Sequence, residues 1–184
     1  MRLIVGICGA SGVNYAIDLL NALKEAKVET FLVVSDWAEK LVVEETSCTV
    51  ASIKKLASHV FSNHDMTAPI ASSSFLVDGM IVIPASIKTI SEIARADCST
   101  LISRAADNML KTGKRLVVCV RETPLSPPTL RNMYDLSVYG VIVFPLSPAF
   151  YYKPKTIKDL ESFITGKIMD LFGIKNEKFR RWGK

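Results

Sequence analysis

The first residues with the makings of chemistry form a turn, Gly9-Ala10-Ser11-Gly12, that follows the apolar run Leu3 to Cys8. Glycines let a backbone turn tightly and approach an anion, and a helix after such a turn presents free N–H groups at the positive end of its dipole. Ser11 adds a hydroxyl. The turn has neither the spacing of a GxGxxG fingerprint nor the lysine of a Walker A loop. A phosphate cradle and a plain strand-to-helix turn capped by Ser11 both fit it. Pro84-Ala85-Ser86-Ile87-Lys88-Thr89 repeats the design. There Ser86 and Thr89 are placed to cap a helix, or to bond a phosphate or a ring edge. Ser35, at the end of another apolar run, is a weaker version of the same feature.

A second group is electrostatic. Arg104, Lys111, Arg121 and Lys167 lie among apolar residues, and Glu122 follows the run Leu116 to Val120. Arg104 and Lys111 are seven residues apart, so a helix places them near one face. Charges above a buried sheet cost desolvation unless they are paired or bound to an anion. An Arg121–Glu122 pair with solvated lysines accounts for any one of these residues, and less well for the set. His59 and His64 have no nucleophile or metal-ligand spacing beside them, which makes them surface or loop residues rather than a catalytic pair. Glu44-Glu45 reads as a solvated helix end, and Trp37, Phe150, Tyr151, Tyr152 and Trp182 as packing aromatics.

Something has to hold these residues in place. The apolar runs Leu3 to Cys8, Thr30 to Val34, Met80 to Ile83 (ended by Pro84), Leu116 to Val120 and Val141 to Phe144 lack polar alternation. Such runs predict strands buried on both faces, hence a parallel sheet with helices on each side. A further short strand falls near Val60. Amphipathic stretches predict helices over Val13 to Ala26, Trp37 to Glu45, Ile87 to Ala96, Leu101 to Lys111, Pro128 to Val138 and Ile157 to Phe172, with a short one near Ile53. The alternating order predicts one doubly wound, Rossmann/flavodoxin-like α/β domain over residues 1–184. Ligands in such sheets bind beyond the carboxyl ends of the strands. That rule selects the loops Gly9 to Gly12, Ser35 to Trp37, Pro84 to Thr89 and Arg121 to Pro128. The basic tail, Lys175 to Lys184, is either a disordered end or an arm that docks on a neighbouring subunit.

The net charge of +5 comes with no arginine-rich tract and no zinc-finger spacing, so a phosphorylated small molecule accounts for it as well as nucleic acid does. Cys8, Cys48, Cys98 and Cys119 form no CxxC pair and read as reduced residues of a cytosolic protein. No signal peptide is recognisable, and no segment reaches the ~18 unbroken apolar residues of a membrane span. The expected location is the cytoplasm.

Seen together, these segments resemble the UbiX-type flavin prenyltransferases of the homo-oligomeric flavin-containing cysteine decarboxylase superfamily. The resemblance runs nearly end to end. It is carried by the turn at 9–12, Ala68-Pro69-Ile70-Ala71-Ser72, the segment 84–89, Leu101-Ile102-Ser103-Arg104-Ala105-Ala106-Asp107, Arg121-Glu122-Thr123-Pro124-Leu125, Leu130-Arg131-Asn132-Met133, Ser147-Pro148-Ala149-Phe150-Tyr151 and Arg181-Trp182-Gly183. It implies transfer of a dimethylallyl group from dimethylallyl phosphate to N5 and then C6 of reduced FMN, without a metal. The prenylated FMN would serve a partner decarboxylase of the UbiD type. FMN contacts are implied for Gly9, Ala10, Ser11, Ser35, Ser86, Ile87, Lys88, Thr89 and Arg121. Contacts with the prenyl phosphate are implied for Arg104, Lys111, Arg121, Tyr151 and Lys167, with Trp182 against the allyl cation. Ser11 and Glu122 are the implied proton-handling pair, and Glu45 a further acidic residue near the leaving phosphate. A dodecamer built from trimers is implied as well.

The residue types suit that chemistry. Breaking an allylic carbon–oxygen bond leaves a cation and an anion, and the chain has no Asp-Asp pair of the kind that holds magnesium in many prenyl-transfer enzymes. Prepositioned basic side chains in a dry site can neutralise the anion instead, and aromatic faces can shelter the cation. The chain departs from the common family pattern at Ala85, Asn108 and Thr129, none of which carries an implied role. Two other readings use the same residues: a non-catalytic FMN carrier for a decarboxylase, and a flavin-dependent cysteine-type decarboxylase.

Overall fold

The computed structural model describes residues 1–183. Its strands are β1 (Arg2–Ile7), β2 (Glu29–Val34), β3 (His59–Ser62), β4 (Gly79–Ala85), β5 (Arg115–Val120) and β6 (Ile142–Pro145). Between and after them run α1 (Val13–Glu25), α2 (Asp36–Glu45), α3 (Val50–Lys54), α4 (Ile87–Ala94), α5 (Leu101–Lys111), α6 (Pro127–Val138) and α7 (Ile157–Leu171). All strand pairs are parallel, in the order β3-β2-β1-β4-β5-β6. The expected α/β class is observed: a parallel central sheet with helices on both faces.

Strand alternation divides the core in two. Leu3, Val5 and Ile7 of β1 pack with α1 and α7, while Ile4 and Cys8, the residue that follows the strand, pack with α4 and α5 on the other face. β1 and β4 run down the middle and are almost wholly buried, which is why their sequences are apolar throughout. The edge strands β3 and β6 are only partly buried. Cys8 and Cys119 are sealed in the core, and burial pushes the Cys8 thiol up to about 11.

One strand end differs from expectation. β4 does not stop at Pro84 but continues to Ala85, with a register shift against β5 between Val82 and Ala85. Proline removes a donor but not an acceptor, and the Pro84 carbonyl accepts from Cys8 N–H at 3.1 Å. The strand thereby delivers Ser86 directly to the start of α4.

α7 is pinned to the body by a buried carboxylate. Asp18 on α1 is 2% exposed, accepts from the Thr165 hydroxyl at 2.5 Å and pairs with Lys158. The tail folds back on the same helix. Phe179 stacks edge-on against Phe163 with centroids 4.9 Å apart, and Arg181 grips Asp170 through two bonds of 2.7 and 2.8 Å. The Arg181 hydrogen bonds hold the Asp170 carboxyl below the usual aspartate range. A side chain at Gly166 would meet the Phe179 ring at 2.6 Å, so the arm's seat depends on that glycine. Lys184, the last residue of the expected arm, lies outside the described residues.

The Asp18 anchor generates a stability prediction. Thr165→Val is isosteric but removes a donor from a buried carboxylate, so it is expected to destabilise the fold by about 1–3 kcal/mol, whereas Thr165→Ser stays near wild type. The urea midpoint of unfolding, at unchanged slope, measures both.

Candidate functional site

A cleft of about 500 Å³ opens at the carboxyl ends of the strands, the size of a small-molecule site. The β1–α1 turn contributes Gly9 and Ala10, and the start of α2 contributes Ser35, Asp36 and Trp37. Asn63 and His64 come from the segment after β3. α4 supplies Ser86, Ile87, Lys88, Thr89 and Glu92, α5 supplies Thr100 and Ile102, and the end of β5 supplies Arg121 and Glu122. Of the residues implied to contact FMN, all but Ser11 line this one cleft.

Helix starts dominate its walls. Ser35 caps α2 by accepting from Ala38 N–H at 3.3 Å, and Ser86 caps α4 by accepting from Thr89 N–H at 3.3 Å. The Ser86 and Thr89 hydroxyls lie 3.0 Å apart. The α4 start therefore has the donors and the dipole sign that suit a phosphate.

α1 is different. Its N-cap is Gly12 at φ 105°, a left-handed conformation that glycine adopts readily, and no side chain of the turn caps it. Ser11 is exposed and is not the cap. Instead Glu45, at the end of α2, accepts from Gly12 N–H at 2.8 Å and Val13 N–H at 3.1 Å. Glu45 is thus not the solvated helix end that its neighbours in sequence suggest. The donors expected to cradle a phosphate at this turn hold a carboxylate of the chain itself.

Gly9 also has a specific reason to be glycine. A Cβ there would lie 2.5 Å from the Trp37 Cβ, so the residue is required by the packing of the turn against α2. Trp37 itself is 66% exposed at the cleft rim, with Lys40 Nζ 4.0 Å above its ring, and is not a core aromatic.

Some charges of the cleft are paired with one another, and others are held by backbone groups. Arg121 donates from Nε to the Ser11 carbonyl at 3.1 Å, which ties the end of β5 to the β1–α1 turn. Glu122 accepts from Thr123 N–H at 3.0 Å. His64 lies 2.9 Å from Asp36, and Lys88 pairs with the buried Glu92. His64 is therefore a cleft residue, although not one of a pair with His59, which stacks on Phe31 at the sheet edge. Among the described residues no group of three or more His, Cys, Asp or Glu could hold a metal ion.

The residues implied to meet the prenyl phosphate are not brought together within one chain. Arg104 and Lys111 lie on α5, where Lys111 pairs with Asp107. Lys167 projects from α7 into solvent, and Tyr151 packs edge-on against Trp182 with centroids 5.1 Å apart. Tyr151, Arg181 and Trp182 line a second, shallower hollow of about 440 Å³. α5 and α7 cover opposite faces of the sheet. Asp36 and Trp37 fall in the expected loop Ser35 to Trp37, whereas Asn63, His64, Glu92, Thr100 and Ile102 were not expected at the site; of these, Thr100 alone carried a local signal, as the cap residue before α5.

A family model described as Flavoprotein matches residues 1–169. The flavin prenyltransferase UbiX of Thermoplasma acidophilum is 47% identical over 182 residues, covering 99% of this chain and 100% of that one. Two solved structures superpose with TM-scores of 0.98. One is AnUbiX (PadA1) in complex with FMN and dimethylallyl pyrophosphate, 44% identical, covering 100% of this chain and 97% of that one. The other is a dodecameric FMN-dependent UbiX-like decarboxylase from Escherichia coli O157:H7, 42% identical, with both chains covered in full.

The borrowed cap on α1 makes a prediction. Glu45→Ala leaves the first N–H groups of α1 without an acceptor and is expected to cost about 0.5–2 kcal/mol, while Glu45→Gln, which keeps an acceptor oxygen, costs less. Thermal unfolding of the two variants beside wild type gives the ranking.

Proposed function

We infer the activity from the premise that the chain belongs to the UbiX-type flavin prenyltransferases: it moves a dimethylallyl group from dimethylallyl phosphate to N5 and C6 of reduced FMN. The observation that carries this reading is the cleft at the carboxyl ends of the strands, where the α4 start, the β1–α1 turn and Arg121-Glu122 meet.

The residues present fit a flavin nucleotide. The cleft has the volume of a small-molecule site, and its α4 wall offers capped-helix donors beside the Ser86 and Thr89 hydroxyls for a phosphate. Because Glu45 fills the α1 start, the phosphate of FMN is assigned to α4, with Gly9 and Ala10 giving the flavin an approach to bare backbone. Bound in reduced form, FMN supplies the nucleophilic nitrogen and carbon to which the prenyl group is joined.

The chain's own residues then have distinct tasks. Arg121, held against the Ser11 carbonyl, is assigned to both phosphates and would stabilise the charge of the leaving one. Arg104, Lys111, Tyr151 and Lys167 complete that neutralisation, and Trp182 shelters the allyl cation. Glu122 receives the proton lost from the flavin carbon, with Ser11 as its relay. Since Arg104, Lys111, Tyr151 and Lys167 do not line the cleft of their own chain, these contributions are assigned to neighbouring copies in an oligomer, a dodecamer by analogy with the relative from Escherichia coli. The C-terminal arm, seated on α7, carries Trp182 to that junction. The product would pass to a UbiD-type decarboxylase. No helix among the described residues is long and apolar enough to cross a membrane, and the cytoplasm is the proposed location.

The test is an anaerobic reaction of the protein with reduced FMN and dimethylallyl mono- or diphosphate, read by the mass of the flavin. A heavier flavin is expected with one donor or both; an unchanged mass with each of them overturns the reading. Glu122→Gln should slow turnover by about 10²-fold or more while still binding FMN, as expected of a group that handles a proton.

A further inference from the structure

Asn63 follows the edge strand β3 and is only 8% exposed. It serves the start of α5 twice: its carbonyl accepts from Leu101 N–H at 2.9 Å, and its Oδ1 accepts from Ile102 N–H at 3.1 Å. A backbone N–H can only donate, so the amide cannot be flipped in this place. Oδ1 must face α5, which turns the two Nδ2 protons away from it.

Nδ2 has no partner among the described residues, and Asn63 lines the cleft. The atom is not sealed in the interior either; the one sealed and unpartnered side-chain atom among the described residues is Asn132 Oδ1. Several neighbouring polar groups of the cleft already have a partner. Asp36 holds His64, Lys88 holds Glu92, Arg121 holds the Ser11 carbonyl, and Ser86 and Thr100 cap their helices. The Asn63 amide is an uncommitted donor of this wall, beside the terminal N–H groups of Arg121 and the indole N–H of Trp37.

Helix capping does not account for that donor. Aspartate would serve the α5 start at least as well, through the same acceptor oxygen and a better match to the helix dipole. What asparagine adds is an N–H pair held by the fixed Oδ1 bond and aimed away from the helix, on a residue that lines the cleft. Such a group fits a ligand that presents an acceptor. The pyrimidine half of a flavin ring does so through its carbonyl oxygens, and the flavin phosphate is assigned to the α4 wall.

We propose that Asn63 positions the flavin in the cleft by donating from Nδ2 to a carbonyl acceptor of its ring. The proposal rests on the flavin reading of the site.

Asn63→Asp tests it, because the variant keeps the oxygen that serves Ile102 N–H and replaces the donor with an acceptor. Its unfolding midpoint should match wild type, while its Kd for FMN rises by about tenfold or more, followed by flavin fluorescence. Riboflavin, which has the ring but no phosphate, should lose affinity by the same factor. Asn63→Thr, which has no charge to repel a phosphate, should also weaken both ligands. Unchanged affinities in both variants, or a loss confined to FMN, overturn the ring contact. Wild-type protein that binds no flavin overturns this assignment and the proposed function together. Wild-type protein that prenylates FMN, beside variants of normal affinity, overturns the Asn63 assignment alone.

Discussion

Everything at the working end of this molecule follows from one constraint: in a wholly parallel sheet, a helix that follows a strand starts at the strands' carboxyl edge. Each start brings N–H groups that the helix itself cannot satisfy. The chain supplies acceptors one by one: Ser35 for α2, Ser86 for α4, Thr100 and Asn63 for α5, and Ser126 for α6. α1 has no acceptor of its own and borrows Glu45 from α2. The same solution that completes these helices gathers hydroxyls, amides and positive dipole ends around one cleft. The anion site is a by-product of topology, trimmed by the residues that fill some starts and not others.

This explains how much could be read from the sequence. The strands β1, β2 and β5 are legible because burial on both faces leaves no polar residue in the run, and α5 is legible because its apolar stripe is regular. Pro84 misled for a physical reason. Proline has no N–H to donate but keeps its acceptor, and the Pro84 carbonyl still meets Cys8. Glu45 was illegible because its partners lie 33 and 32 residues away, and no local pattern marks a carboxylate as a cap for a distant helix. Trp37 reads as a core aromatic by composition, yet its position is fixed by Gly9, whose lack of a side chain admits it at the cleft rim. Asn63 and His64 sit in a stretch with no periodicity, so only the three-dimensional path of the segment after β3 brings them to the cleft.

The electrostatics divide in the same way. Within the cleft, His64 faces Asp36 and Lys88 pairs with Glu92, which leaves Arg121 and the oriented N–H groups as the groups suited to a phosphate. The less committed basic residues, Arg104 and Lys167, are placed elsewhere, on α5 and α7. A reading from sequence naturally pools them with Arg121, because residue type is visible and sheet face is not. Neither Arg104 nor Lys167 lines the cleft that Arg121 lines. The separation is the strongest structural argument that the second phosphate position is built between copies.

α7 then needs a firmness that a surface helix does not usually have, since it would carry both Lys167 and the docked arm to such a junction. Two carboxylates provide it from opposite directions. Asp18 reaches from α1 into the buried side of α7 and holds Thr165 and Lys158, so the helix cannot slide or rotate without stranding a charge. Asp170, on the last turn of α7, reaches outward and clamps Arg181, which fixes the backbone immediately before Trp182. Lys167 lies between Thr165 and Asp170, within one turn of each anchor. Trp182, 79% exposed, is thereby presented on an ordered base rather than at the end of a loose tail. An aromatic face held out of the body in this way has lower entropy to lose on meeting a neighbour, which is what assembly of a shared site requires.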